Sequence, residues 1–263
     1  MKAPAALAAA LRVLERGFKQ NTDDARFWIV LGDLYAIVTK LPDAGKASQT
    51  VYMGKLKSDR AVECYEKAQK LAKQDLSVPF RLAGYYAAQE QFDKAIADLA
   101  KAAQLIKGKP DQPEPSTADA KVMSSETLHY AIYYHLGLAH YLKGDFAAAL
   151  PVYRQCLAAA KANASDDLTA GASDWLYMTL RRLGRAEDAA KVLEPIVPGM
   201  KVKDDQQYYD RLFMYKGLKT PEDLLRAGGD PVSAATLAYG VANWYLYNGR
   251  KDEARALFEK IIT

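Results

Sequence analysis

The chain has 263 residues, of which 50% are hydrophobic and 26% are charged, a composition that excludes a disordered chain and supports a large buried core. Its net charge of +4 is small for this length, so charge alone gives no reason to expect nucleic-acid binding. No apolar run reaches the roughly 20 residues that a membrane-spanning helix requires, and we predict no membrane span.

Apolar residues recur at helical spacing along the whole chain and predict about thirteen helices in an all-α fold. The first helix, over 3–20, stands alone as half of a pair. Six predicted pairs follow, at 24–38 with 58–73, 76–89 with 92–106, 127–143 with 146–162, 166–183 with 186–196, 204–216 with 220–227, and 231–248 with 251–262. Two insertions interrupt them, at about 41–57 and about 108–125, and the alternating prolines of the second predict an extended loop.

The N-terminal residues are mostly apolar and could be compared with a secretion signal. Arg12 cuts this stretch short, however, and Leu7, Leu11 and Leu14 continue it as one face of a helix. We therefore interpret it as the second helix of an incomplete pair. Because no polar capping helix follows the last pair either, we expect both ends to be trimmed from a longer protein or to pack against another surface.

Similar residues recur along the chain about 34 positions apart. Ala61, Tyr65 and Ala68 correspond to Ala95, Leu99 and Ala102, each 34 residues further along the chain. Small residues such as Gly32 and Gly137 occupy the position where the two helices of a pair face each other. Helices approach closely only where the facing residues are small, and larger neighbours fill the space around that contact. A period of this length indicates a solenoid of paired helices.

The clearest copy of the repeat is Tyr133-x2-Leu136-Gly137-x2-His140, followed by Gly144-Asp145-Phe146. With this pattern the chain resembles the tetratricopeptide repeat family. The resemblance implies a right-handed superhelical solenoid of helix-turn-helix repeats, forming one domain over 1–263. It also implies a concave surface lined by the first helices, and a role in binding another protein. Residues 80–263 are further similar to a group of largely uncharacterised bacterial members that often carry export signals.

Certain first-helix positions line the concave surface in the family that this chain resembles. Here they hold mainly aromatic and charged residues, namely Phe80, Tyr134, Leu138, Tyr141, Asp174, Met178, Arg181, Arg182, Tyr239, Asn243 and Tyr247. Tyrosine offers a large apolar face and a hydroxyl at little entropic cost, which suits peptide recognition. We therefore predict an aromatic peptide-binding groove with a basic rim. The alternative is that these aromatic residues pack on neighbouring helices.

One subtype of the family grips the C-terminal carboxylate of heat-shock chaperones with Lys and Asn at two of these positions. The matching residues are Ile29 and Asp33 in the first full pair, and Phe80 and Gly84 in the next. The Lys and Asn that bind the carboxylate are therefore absent here, and we do not expect the C-terminal tails of chaperones among the partners.

No pattern in the sequence predicts a catalytic, cofactor or metal site. His129, His135 and His140 share one predicted helix, but spacings of 6 and 5 residues do not place them on one face. Cys64 and Cys156 lie in different pairs without a second cysteine or histidine at metal-ligand spacing, and we predict buried free thiols.

The leading hypothesis is a non-catalytic scaffold that binds a protein or peptide partner in the groove. The alternative is a structural or self-associating subunit of a larger bacterial assembly, for instance in the cell envelope, suggested by apolar helix faces at 7–18 and 254–262. For localisation, the resemblance favours the bacterial periplasm or cell envelope, whereas the lack of an export signal in this sequence favours the cytoplasm.

Overall fold

The computed structural model describes residues 12–20, 22–40, 47–75, 77–113, 126–227 and 229–262. Within these ranges the regular secondary structure is α-helical, and the helices follow one another as helix-turn-helix pairs. The prediction of an all-α repeat fold is confirmed. The contacts group the chain into two compact units, Met1–Leu128 and His129–Thr263, each of which is described by itself. A single solenoid domain over 1–263 stays a prediction.

The first unit contains five helices in its described residues. They are α1 at 12–18, α2 (Ala25–Lys40), α3 (Ala47–Leu71), α4 (Ser77–Ala88) and α5 (Phe92–Ile106). The prediction that α3 begins near residue 58 is wrong, because the helix already begins at Ala47. Part of the insertion at 41–57 is therefore helical, as a stretch without proline allows, while residues 41–46 lie outside the described residues.

The second unit follows the predicted pairs closely. Its helices are α6 (Leu128–Lys143), α7 (Phe146–Ala162), α8 (Asp166–Arg182), α9 (Ala186–Leu193), α10 (Gln206–Tyr215), α11 (Pro221–Arg226), α12 (Pro231–Tyr247) and α13 (Lys251–Ile262). Gly144 ends α6 with a φ of +84°, a conformation that favours glycine. The next residue, Asp145, caps α7 by accepting a hydrogen bond from the Ala148 amide at 3.0 Å.

Both end helices bury apolar residues against the fold, although Val13 on α1 is exposed. Leu14 on α1 is buried. Ala254 on α13 is buried too, and Leu257 and Phe258 are partly buried against the same small core. The expectation of an exposed apolar face at 254–262 is therefore wrong for the described residues, because α13 turns its apolar side inward and leaves charged residues outside. Residues 7–11 lie outside the described part.

The described part of the second insertion is not helical, as predicted. Pro113 and Thr127 form an isolated antiparallel bridge, and the Leu128 amide donates a hydrogen bond to the Gln112 carbonyl at 2.7 Å. Residues 114–125 lie outside the described residues, so the extended conformation of that stretch stays a prediction. None of the described helices combines the length and apolar character needed to cross a membrane.

Candidate partner-binding surface

The predicted groove residues fall in both units, with Phe80 on α4 of the first. The other ten lie on the inner helices of the second unit, by which we mean α6, α8, α10 and α12, the first helix of each pair. They are Tyr134, Leu138 and Tyr141 on α6, Asp174, Met178, Arg181 and Arg182 on α8, and Tyr239, Asn243 and Tyr247 on α12. In the second unit these helices face one another, with α10 in contact with both α8 and α12.

Tyr141 joins α6 directly to α12. Its hydroxyl donates a hydrogen bond to Oδ1 of Asn243 at 3.3 Å, and the hydroxyls of Tyr141 and Tyr247 are 3.5 Å apart. Asn243 is buried and uses its amide nitrogen within α12, donating to the Tyr239 carbonyl at 2.9 Å. The inner surface therefore closes on itself at this point instead of remaining an open groove.

Trp175 on α8 contacts residues of both α6 and α12, although it was not among the residues predicted from the sequence. Its Nε1 donates to the Tyr134 hydroxyl at 2.8 Å, and that hydroxyl lies 2.9 Å from the hydroxyl of Tyr208 on α10. The Trp175 ring also packs at 5.2 Å from the Tyr141 ring and 6.1 Å from the Tyr239 ring, measured between centroids. Burial raises the pKa of Tyr134, so its hydroxyl stays protonated and available as a donor.

A buried ion pair connects α8 to α10. Nη2 of Arg211 lies 2.6 Å from Oδ2 of Asp174, and the two side chains are 1% and 0% exposed. Arg211 also donates to the Thr236 carbonyl at 3.3 Å and to Sδ of Met178 at 3.0 Å. Gly240 on α12 makes room for Arg211, since a side chain there would overlap the guanidinium group. Burial raises the pKa of Asp174 to about 6, and the Arg211 charge opposes that rise.

Four predicted contact residues are thus buried between helices, namely Tyr141, Asp174, Met178 and Asn243. In this structure they cannot contact a partner, and the alternative interpretation, packing on neighbouring helices, describes their positions. The physical reason lies in the fifth pair, whose α10 has only 10 residues and α11 only 6. Because α10 packs on both α8 and α12, it brings α12 against the earlier inner helices.

The accessible edge of this surface carries two neighbouring arginines. We call it the arginine rim and define it by Arg181, Arg182, Phe146, Tyr247 and Asn248. Arg181 is half-buried and donates to the Tyr247 carbonyl at 3.4 Å and to Oδ1 of Asn248 at 3.5 Å. Arg182 is exposed, and its guanidinium carbon lies 4.5 Å above the centroid of the Phe146 ring.

The rim adjoins the buried hydroxyls of the inner surface. The hydroxyl of Tyr247 in the rim lies 3.5 Å from the hydroxyl of Tyr141, and burial raises the pKa of Tyr141. Arg181 also donates to the Tyr177 hydroxyl at 2.9 Å. Every hydrogen-bond acceptor that the structure gives Arg181 is neutral.

The described residues offer no evident place for a metal ion. No group of three or more His, Cys, Asp or Glu side chains in those ranges is arranged to bind one. Cys64 and Cys156 are buried free thiols, as predicted.

Two tetratricopeptide repeat family models match the sequence, one over residues 130–163 and the other over 50–113. No curated protein matches this chain in sequence. One similar solved structure is that of Rap protein complexed with competence and sporulation factor, at 16% identity and a TM-score of 0.55, covering 90% of this chain and 62% of that one.

Two further solved structures are similar at a lower score. One is YrrB, a TPR protein with an unusual peptide-binding site, at 15% identity and a TM-score of 0.49, covering 95% of this chain and 90% of that one. The other holds TPR-like repeats of a putative kinesin light chain from Podosopora anserina, at 18% identity and a TM-score of 0.46, covering 80% of this chain and 88% of that one. At such identities the likeness concerns the fold alone. With its paired helices and both matching family models, the chain contains tetratricopeptide repeats, within residues 50–113 and 130–163.

Proposed function

We propose that the chain is a non-catalytic scaffold that binds a protein or peptide partner at the inner surface of its second unit. Arrays of paired-helix repeats present extended surfaces to other proteins. The observation that carries the proposal is the arginine rim, where two cations and two aromatic rings lie together at an accessible edge of the inner helices. A few residues supply most of the binding energy at protein interfaces, and tryptophan, tyrosine and arginine are enriched among them.

The buried residues support this surface without contacting the partner. Trp175 and Tyr141 hold α6, α8 and α12 together through their ring contacts and hydrogen bonds. A surface fixed in this way loses little conformational entropy when a partner binds. The partner then contacts the exposed and half-buried members, above all Arg182 and Tyr247. Phe80 stays a separate predicted contact in the first unit.

The buried acid of the second unit supports a non-catalytic role. Asp174 is the fully inaccessible carboxylate of the ion pair with Arg211, and no substrate can reach it in this arrangement. A general acid or base must come within hydrogen-bond reach of the group that it serves. A raised pKa in such a place reflects burial in the core of the fold.

Selection of peptides from a random library against the full chain tests this proposal. We expect Tyr247→Ala to lower the affinity for the selected peptides by roughly tenfold or more, as for interface residues of this type. Arg154→Ala is the matched control, because Arg154 is an exposed arginine on α7, outside the inner helices. Binding that is equal in the wild type and in Tyr247→Ala removes the inner surface from the proposal.

Self-association is a second candidate function, favoured by one feature of the first unit. Val30 and Leu34 lie one turn apart on α2 and are 56% and 43% exposed. Neighbouring apolar side chains on one helix face provide a surface for association. Light scattering tests this candidate: we expect a concentration-dependent rise in mass for the wild type and none for Leu34→Lys. A wild type that stays monomeric at high concentration excludes it.

A further inference from the structure

Most arginines of the second unit are neutralised by a nearby carboxylate. Of its eight arginines, five form such pairs, namely Arg185, Arg211, Arg226, Arg250 and Arg255. Among the residues that the structure describes, Arg154, Arg181 and Arg182 have no carboxylate within ion-pair distance. Only Arg181 and Arg182 stand side by side, and aromatic rings surround them instead.

The surroundings of the pair are suited to an oxyanion. Arg182 is exposed, and its guanidinium carbon lies 4.5 Å from the centroid of the Phe146 ring, within the range of a cation–π contact. The half-buried Arg181 lies 5.3 Å from the centroid of the Tyr247 ring. A planar guanidinium group stacked on a ring is well prepared for two parallel hydrogen bonds to a carboxylate.

A purely structural role explains only part of this arrangement. Cations in the last turn of a helix are favourable in their own right, because they balance its partial negative charge. Arg181 and Arg182 are both in the last turn of α8, and Arg181 also binds the terminal carbonyl of α12, at Tyr247, at 3.4 Å. The Arg182 side chain makes no hydrogen bond with any described residue, so its hydrogen-bond donors remain available to a ligand.

We propose that the arginine rim binds a carboxylate of an acidic peptide segment in a partner protein, with Arg182 as the principal contact and Arg181 as the second. This inference rests on the proposed function and names the partner's chemistry. Each charged hydrogen bond is strong enough to decide which sequences bind, since a charge-assisted contact contributes about 10-fold to 100-fold in affinity.

The test uses the full chain and peptides selected on it from a random dodecapeptide library. We expect the selected sequences to be rich in Asp and Glu, and to lose about 10-fold to 100-fold in affinity on Arg182→Gln by fluorescence anisotropy. Arg182→Lys recovers part of the loss, because it keeps the charge without the planar fork. Arg154→Gln is the control and leaves the affinity unchanged. Equal melting temperatures of these variants exclude misfolding.

Amide versions of one selected peptide identify the carboxylate. Replacing Asp and Glu by Asn and Gln removes side-chain carboxylates, and a C-terminal amide removes the terminal one. Peptides without acidic residues, or full affinity for Arg182→Gln, overturn the inference and leave the proposed function standing. A selection that yields no binding peptide overturns the proposed function, and the inference with it.

Discussion

The ring of Tyr153 on α7 lies directly against the backbone of Gly137 on α6, so that a Cβ atom at residue 137 would be 2.8 Å from two of its ring atoms. The same relationship occurs in the first unit between Tyr65 and Gly32, where the corresponding distance is 2.6 Å. In both units a glycine therefore allows a large ring to fill the contact between the two helices of a pair.

Replacing Gly137 by alanine should destabilise the protein. The new methyl group forces the buried Tyr153 ring to move, at a cost of about 1–3 kcal/mol that exceeds the gain in helix propensity of about 0.5–1 kcal/mol. Gly84 on α4 is the matched control, because a Cβ atom added there would meet no atom of the described residues within 4 Å. Urea unfolding should show lower stability for Gly137→Ala and equal or higher stability for Gly84→Ala. Equal losses at both sites contradict the packing argument.

The two tyrosines should respond differently to loss of the hydroxyl. The Tyr65 hydroxyl donates to Oδ1 of Asp33 at 2.7 Å. In the second unit the position that corresponds to Asp33 holds Leu138, which offers no acceptor. The buried Tyr153 hydroxyl therefore has no hydrogen-bond partner in the described residues. We expect Tyr65→Phe to lower the free energy of unfolding by about 1–2 kcal/mol, and Tyr153→Phe to leave it equal or raise it. Denaturant unfolding of both variants measures this difference, and a larger loss for Tyr153→Phe contradicts it.

Asp174 should make stability depend on pH. Burial raises its pKa from 3.8 to about 6, so its contribution is fully present only below the ordinary value of 3.8 and is lost as the pH rises through about 6. We expect the stability of the wild type relative to Asp174→Asn to increase by on the order of 2 kcal/mol as the pH falls from 7 to 4. Denaturant unfolding of both proteins at each pH cancels the other titrating groups. A constant difference over this range contradicts the raised pKa.

Asp167 should be important for the segment that leads into α10. Its Oδ1 accepts hydrogen bonds from the amides of Lys203, Asp204 and Asp205 at 2.7, 2.8 and 3.1 Å. Removing this acceptor leaves three amides to be satisfied by water, and we expect Asp167→Ala to cost about 1–3 kcal/mol. The control is Asp204→Ala, which removes an exposed carboxylate of the same segment. Thermal unfolding should separate the two variants, and indistinguishable melting temperatures contradict this role.

The helices were largely predictable because the signals that define them are local. The apolar period and the glycine after each first helix predict 127–143 and 251–262, and the structure has Leu128–Lys143 and Lys251–Ile262. The start of α3 was missed because residues 47–57 carry no clear apolar face, so that only the absence of proline favoured a helix there.

The closed inner surface was less predictable because it depends on contacts between distant residues. Tyr141 and Asn243 are 102 positions apart, and a repeat pattern does not reveal how a short fifth pair changes the packing of the next. One local signal was available, since Asp174 is the sole charged residue between Leu168 and Leu180. A lone carboxylate in such a stretch indicates a buried group that requires a cation, although it does not identify Arg211.

The bridge between Pro113 and Thr127 makes this part of the first unit a natural attachment point. The chain departs and returns at neighbouring backbone positions, so the helices on either side do not depend on how many residues lie between. The entropy of closing a loop grows only slowly with its length. A fluorophore, an affinity tag or a small reporter domain inserted in place of 114–125 should therefore leave both helical units intact, which gives the protein a site for labelling between α5 and α6.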